Sequence, residues 1–409
     1  MTYKEVLAEA RKHIGPKCKA CPECNGLGCG NTIPGPGSKA PGNGANDNWK
    51  AWRSYRLNMN TMVPNTPVDT GVKLFGRRIE LPLLTGPIGS LRAQFHPEDD
   101  IRDYNRQCIT ACAQEGVFEC FGDGLFDGVT EDAVEASKSC GGIGIPILNP
   151  FSQEEILKKI ELCKAGDPAA IGIVIDSAGL PHLKSRPDAG TKTPEQIREL
   201  KAAVDCPFIV KGVLNAKCAE LAVDAGADAI IVSNHGGRVL PGAPATAEVL
   251  PEVVEAVGGK TKIIVDGGIR SGYDIFRAIA LGADAVMICR PVLVSYYGGG
   301  TEAIRVYIQK LKDEFSDAMY MCGARKVSDI DGSMIRLSKK EKKKKRKKEA
   351  AFRLLLFVYA VDYAFAFACL LRVLTPSTTR SIARMISRTA MTPRTMPQVT
   401  SVPAVMRLT

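Results

Sequence analysis

Eight short apolar runs recur along the middle of the chain, each stopping at a glycine or a polar side chain. They are IELPLLTG (79–86), VFECF (117–121), IGIPIL (143–148), IGIVID (171–176), PFIVKG (207–212), DAIIVS (228–233), KIIVD (262–266) and DAVMIC (284–289). Their β-branched residues stand side by side rather than at alternate positions, which predicts strands buried on both faces. Between them lie segments of helical period such as SQEEILKKIELCKAG, TPEQIRELKAAV and NAKCAELAVDAG. Several open on Ser, Thr or Asn and close on Gly, as helix caps require. Eight strand-then-helix units in roughly 240 residues predict an α/β chain closed into a (β/α)8 TIM barrel. An open doubly wound sheet fits the same periodicity, because periodicity does not encode closure.

The flanks have a different character and predict three regions. Residues 1–70 form a Cys-rich N-terminal arm, 71–337 the barrel, and 338–409 a basic and apolar tail unrelated to it. The first fifteen residues, MTYKEVLAEARKHIG, read as a polar amphipathic helix with no signal peptide. Fourteen cysteines without an export signal point to a reducing, cytoplasmic setting. The formal charge of +10 is misleading. From Lys339 onward sixteen Lys and Arg face three acidic residues, which leaves −3 for the first 338 residues. A nucleic-acid partner is therefore not expected. The apolar stretch 354–371 carries Asp362 near its middle. A central Asp costs about 2.5–3.5 kcal/mol on insertion, so an extension outside the fold is expected rather than a membrane contact.

Barrels of this class place their chemistry at the C-terminal ends of the strands. Read in order, those ends are Thr85-Gly86-Pro87, Asp123, Asn149, Asp176, Lys211, Ser233 with His235 and Arg238, Asp266-Gly267-Gly268-Ile269-Arg270, and Cys289-Arg290. A core would not select so polar a set. Two glycines and an arginine between a strand and a helix start bring backbone N–H groups, a helix N-terminus and a guanidinium onto one anion. Arg290 adds a second guanidinium. Arg238 suits a carboxylate, and neutral His235 can take a proton. Lys211 ends an apolar strand, where an ammonium needs an anion or an electron-rich ring.

FIVKG, IIVSNHGGR and IIVDGGIRSGYDIFRAIALGADAVMICRP together resemble the FMN-dependent α-hydroxy acid oxidases and dehydrogenases. The likeness is close from about Phe208 to Arg325 and holds at strand level from about Val72 to Phe208. The DGGIR and CRP parts are shared with other phosphate-binding barrels and signal a cofactor only; Lys211 with SNHGGR is the specific part. The resemblance implies FMN and the oxidation of a small L-2-hydroxy acid of lactate or glycolate type to the 2-oxo acid. Oxygen or another electron acceptor would take up the electrons, and a homo-oligomer is expected. It makes Lys211 the residue at the flavin pyrimidine edge, Ser233 a flavin contact, His235 the base and Arg238 the carboxylate ligand. Asp266 to Arg270, Cys289 and Arg290 become ribityl and phosphate contacts, and Thr85, Gly86 and Pro87 flank the ring. Asp123 joins the cofactor set by its place at a strand end. Where the family carries a Gln and a Tyr after the third strand, this chain aligns Pro146 and Leu148. Its second carboxylate-binding arginine aligns with Leu183, flanked by His182 and Lys184.

Two other readings fit part of the pattern. One is an FMN barrel doing non-redox chemistry, such as an isomerase on a phosphorylated substrate; the other is an inactive binding barrel. Finally, CKACPECNGLGC spaces Cys18, Cys21, Cys24 and Cys29 as C-x2-C-x2-C-x4-C. Four thiols in twelve residues predict a metal centre, either zinc or an iron–sulfur cluster.

Overall fold

Each of the eight apolar runs becomes a parallel strand, and the strands close on themselves in sequence order. The computed structural model describes residues 1–29, 44–92, 95–124 and 126–338. The strands are β1 (Leu83–Thr85), β2 (Phe118–Gly122), β3 (Gly144–Leu148), β4 (Ile171–Val174), β5 (Phe208–Val213), β6 (Ala229–Val232), β7 (Lys262–Val265) and β8 (Ala285–Ile288). β8 pairs with β1 through Met287 and Leu84, which closes the predicted barrel and excludes the open sheet. The predicted helix starts hold too. Ser152, Thr193, Asn215 and Ser271 each accept a hydrogen bond from the backbone N–H three residues on.

Strand side chains alternate between two apolar layers. Leu84, Phe118, Cys120, Ile145, Ile147, Ile209, Ile231, Ile264, Ala285 and Met287 fill the barrel interior. Their neighbours Leu83, Phe121, Ile173, Phe208, Val210, Ile230, Val232, Ile263, Val265, Val286 and Ile288 pack outward against the helices. A hairpin of Val72–Leu74 and Arg77–Ile79 precedes β1, and its Leu74 and Ile79 join the interior layer. That hairpin packs against the interior layer, and the cavity lies at the C-terminal ends of the strands.

Two N-terminal helices flank this opening. Helix α1 (Tyr3–His13) begins on a Thr2–Glu5 capping box, and its Leu7 and Ala10 pack with Ile14, Ala20 and Val294. Helix α2 (Gly44–Arg53) reaches the loop after β7, where Trp52 Nε1 donates to the Gly267 carbonyl at 2.7 Å. Residues Met1–Ser338 cluster as one compact unit. The Lys-rich run, the apolar stretch 354–371 and the segment beyond it lie outside the described residues, as does most of the Gly- and Pro-rich loop before α2. Among the described residues no helix is long and apolar enough to cross a membrane.

Candidate active site

The alternation of strand side chains decides which strand-end residues meet. A cavity of about 280 Å³ lies over the open end of the barrel. In β5 the interior residue Ile209 is followed two positions on by Lys211, and in β6 Ile231 is followed by Ser233. By the same count Ile264 leads to Asp266, Met287 to Cys289 and Ile147 to Asn149. Of these, Lys211, Asp266, Cys289 and Asn149 line the cavity, together with Gly86, Pro87, Gly122, His235 and Arg238. Ser233 reaches the same group by hydrogen bonds.

Thr85 and Asp123 fall on the opposite phase. The Thr85 hydroxyl is buried 3.7 Å from the thiols of Cys108 and Cys112, on helix α3 (Ile101–Glu115). Asp123 turns out to Lys159 at 3.0 Å and holds the backbone and side-chain N–H groups of Asn149. Neither side chain borders the cavity, and Ile269 is fully buried in the outer core. Pro146 and Leu148 also face away, so the wall at the end of β3 is made by Ile147 and Asn149. Leu183, in the place of the expected second arginine, is buried in the outer core. Period-2 counting from the strand centres would have separated these residues in the sequence.

Ser233 is the hub of the polar set. Its Oγ accepts from Lys211 Nζ at 2.8 Å and from the His235 backbone N–H at 3.0 Å, and donates to Asp266 Oδ2 at 2.8 Å. Lys211 is 4% exposed, so burial opposes its charge. Asp266 and Asp176 outweigh that and raise its pKa, which keeps it an ammonium. His235 Nδ1 lies 3.0 Å from Asp176 Oδ1. An ionised carboxylate can only accept, so Nδ1 carries the hydrogen and Nε2 is the basic nitrogen. Burial lowers the His235 pKa below 6.5 against the pull of Asp176, so the ring is neutral at pH 7. Burial works to raise Asp176 as well, but His235, Lys211 and Arg238 prevail and its pKa falls. As the partner of His235, Asp176 was visible in the sequence only as one more polar strand end. Arg238 is 7% exposed; burial and then Arg290 lower its pKa to about 10, which leaves it charged.

Three polar atoms of this group are buried without a partner: Arg238 Nε, Asp176 Oδ2 and Asp266 Oδ1. An orphaned guanidinium N–H calls for an anion, and an orphaned carboxylate oxygen for a hydroxyl or amide donor. FMN, with a phosphate, ribityl hydroxyls and an electron-poor ring, fits this donor set. Asp266, Gly267, Gly268, Arg270 and Arg290 border the same cavity. Glycine at 236 admits the Arg290 guanidinium, which donates to the Gly236 carbonyl at 2.8 Å where a Cβ would otherwise sit. Arg270 also ties down the N-terminal arm, its Nε donating to the Cys24 carbonyl at 2.6 Å.

The predicted metal centre finds no support. Among the described residues no group of three or more His, Cys, Asp or Glu side chains is placed to hold a metal. Cys18, Cys21, Cys24 and Cys29 all border the cavity, with Cys18 and Cys21 near enough to the other thiols to feel their charge. The prediction rested on an arm without a core of its own. The arm has one, since Cys18 packs on the small cluster around Leu7, Ile14 and Val294, and Arg53 pairs with Glu23. Burial raises the Cys18 thiol to about 11, so it is no thiolate at neutral pH.

Comparison with known proteins gives a consistent result. Residues 37–182 and 176–337 match the family model of FMN-dependent dehydrogenases. A 4-hydroxymandelate oxidase of Amycolatopsis orientalis is 30% identical over 315 residues, covering 67% of this chain and 84% of that protein. A peroxisomal (S)-2-hydroxyacid oxidase of Arabidopsis thaliana is 29% identical over 330 residues, 71% of this chain and 87% of that one. An L-lactate oxidase of Lactobacillus jensenii reaches 43%, over 35% of each chain. Among solved structures, mandelate oxidase superposes with a TM-score of 0.66 at 28% identity, covering 80% of this chain and 96% of its own.

Proposed function

From the premise that this chain belongs to the FMN-dependent dehydrogenases, the family of the α-hydroxy acid oxidases, we propose that it oxidises a small L-2-hydroxy acid of lactate or glycolate type to the 2-oxo acid. One observation supports this most: His235 Nδ1 held 3.0 Å from Asp176, beside the unpartnered Arg238 Nε, at one cavity.

The residues divide the work by their chemistry. Arg238 grips the substrate carboxylate through the N–H groups left open by the fold. That grip turns the α-hydroxyl toward Nε2 of His235, which takes its proton. Asp176 stabilises the imidazolium that results and prevents the ring from turning. Bound FMN supplies the acceptor for the α-hydrogen and its two electrons. Lys211, kept charged by Asp266 and Asp176, places a fixed positive charge in the same cavity, where negative charge on a reduced ring would be stabilised. Ile147, Val174 and Leu180 close the wall with apolar surface, which suits a short alkyl substituent on the substrate. Oxygen is the acceptor that the names of the oxidase relatives suggest for the second half-reaction.

Anaerobic mixing of the purified yellow protein with L-lactate or glycolate tests the reading. Loss of the flavin absorbance near 450 nm, with lactate or glycolate converted in equal amount, is expected. A flavin that none of a panel of 2-hydroxy acids bleaches would count against it.

A further inference from the structure

Asn149 ends β3 on the cavity side, and its amide is held from three directions. Its backbone N–H donates to Asp123 Oδ2 at 3.1 Å, its Nδ2 donates to Asp123 Oδ1, and its Oδ1 lies 3.1 Å from Ser177 Oγ, sharing that hydroxyl's hydrogen with the Val174 carbonyl. Asp123 is itself fixed. Its side chain is fully buried, Lys159 pairs with it at 3.0 Å, and Lys159 in turn lies 4.4 Å over the Phe151 ring. A carboxylate accepts only, so the contact with Asp123 identifies which end of the amide is the NH2 group. One of its two hydrogens is spent on Asp123; none of the described residues takes the other. Ser177 is the neighbour of Asp176, the partner of His235. Asn149 therefore stands at the reacting end of the cavity rather than at the arginines of the phosphate end.

Among the described residues, the wall beside Asn149 brings no second guanidinium to the substrate end. Leu183 is buried in the outer core, and Ile147, Val174 and Leu180 bring no donor. Arg238 is the guanidinium beside His235, while a substrate carboxylate has two oxygens. We propose that Asn149 is a specificity-determining residue that donates its free Nδ2 hydrogen to the carboxylate oxygen turned away from Arg238, with Asp123 as the positioning residue that aims it. This inference rests on the functional reading above. The substrate carboxylate is then held by one cation and one neutral donor. A buried donor aimed by an ionised acceptor is polarised and loses little rotamer freedom on binding, which makes a neutral amide an adequate second ligand.

The test uses the FMN-loaded full chain and oxalate, a planar carboxylate that resembles the product, titrated by the perturbation of the flavin spectrum. Asn149→Leu removes the donor, and Asn149→Asp puts a carboxylate in its place. Oxalate Kd and the KM for the hydroxy acid should rise about tenfold in Asn149→Leu and further in Asn149→Asp. Flavin content and the reduction rate at saturating substrate should stay within a few-fold of wild type. Asp123→Asn should raise KM without lowering flavin content, which separates aiming from a merely structural role. A wild-type protein whose flavin no 2-hydroxy acid bleaches overturns the functional reading and this inference together. A wild type that is bleached, alongside Asn149 variants that bind oxalate as tightly as it does, overturns this inference alone. Weaker oxalate binding accompanied by an equal loss of flavin also overturns it, since the residue would then be structural.

Discussion

His235 has a φ of 55°, in the left-handed region where a residue with a Cβ is strained, and Gly236 and Gly237 follow at 65° and 81°. Strain of about 1–3 kcal/mol at such a residue persists only where the surroundings hold it. Here Ser233 Oγ takes its N–H and Asp176 takes its ring. Replacing His235 with Gln should lower kcat by roughly 10²–10⁴, the usual contribution of a general base, with flavin still bound. The pH profile carries a sign. As the proposed base, His235 works when neutral, so activity should fall as pH drops through its pKa, which burial moves below 6.5. The acid limb of kcat/KM should therefore lie below pH 6.5. Asp176 raises the His235 pKa, so Asp176→Asn should shift the limb further down. It should also slow turnover by about 10–100-fold, as the loss of a hydrogen bond to a charged group worth ~1.5–3 kcal/mol implies. A limb that moved up in the Asp176 variant would contradict the assignment.

At the scale of elements, the turn after β6 is braced by a helix far away in sequence. Asn48 on α2 is fully buried, and its amide exchanges two hydrogen bonds with Asn234, at 2.8 and 2.9 Å. Asn48→Ala leaves the Thr246 N–H without its partner and takes one bond from each end of the Asn234 amide, which keeps the Pro244 carbonyl and the Gly237 N–H. A buried orphan costs about 1–3 kcal/mol, so the Tm should fall by several degrees and kcat with it. An unchanged melting curve would mean that α2 does not brace the turn. Gly236→Ala probes the other side of the same turn. Its Cβ would fall on the Arg290 guanidinium at a backbone angle that already disfavours it. FMN affinity should drop about tenfold for every 1.4 kcal/mol of that conflict, read as the Kd of the reconstituted apoprotein. The strands themselves were legible from their apolar runs, to within a few residues at each end. Their phase was legible as well, for it turns Thr85 and Asp123 outward and Asn149 to the site. The bond between Asn48 and Asn234 was not, because 186 residues separate the two and nothing local marks either one.

For the molecule as a whole, every residue assigned to the site lies within Met1–Ser338, which clusters as one compact unit. A protein ending at Ser338 should therefore purify yellow, melt within a few degrees of the full chain and keep its kcat. Loss of flavin on removing residues 339–409 would show that the site depends on them. The sequence by itself determined the succession of eight buried strands and capped helices, because side-chain period and cap chemistry are local properties. It also determined the residue types at the site, since Lys211, the SNHGGR turn and the DGGIR turn are contiguous words. Closure of the barrel was decided only in three dimensions, by β8 meeting β1 across some 200 residues. So were the pairing of His235 with Asp176 and the use of the cysteine arm as a cavity border. The physical reason is common to all of these. A contact between distant segments depends on which faces the packed core turns toward each other, and no short stretch of chain carries that information.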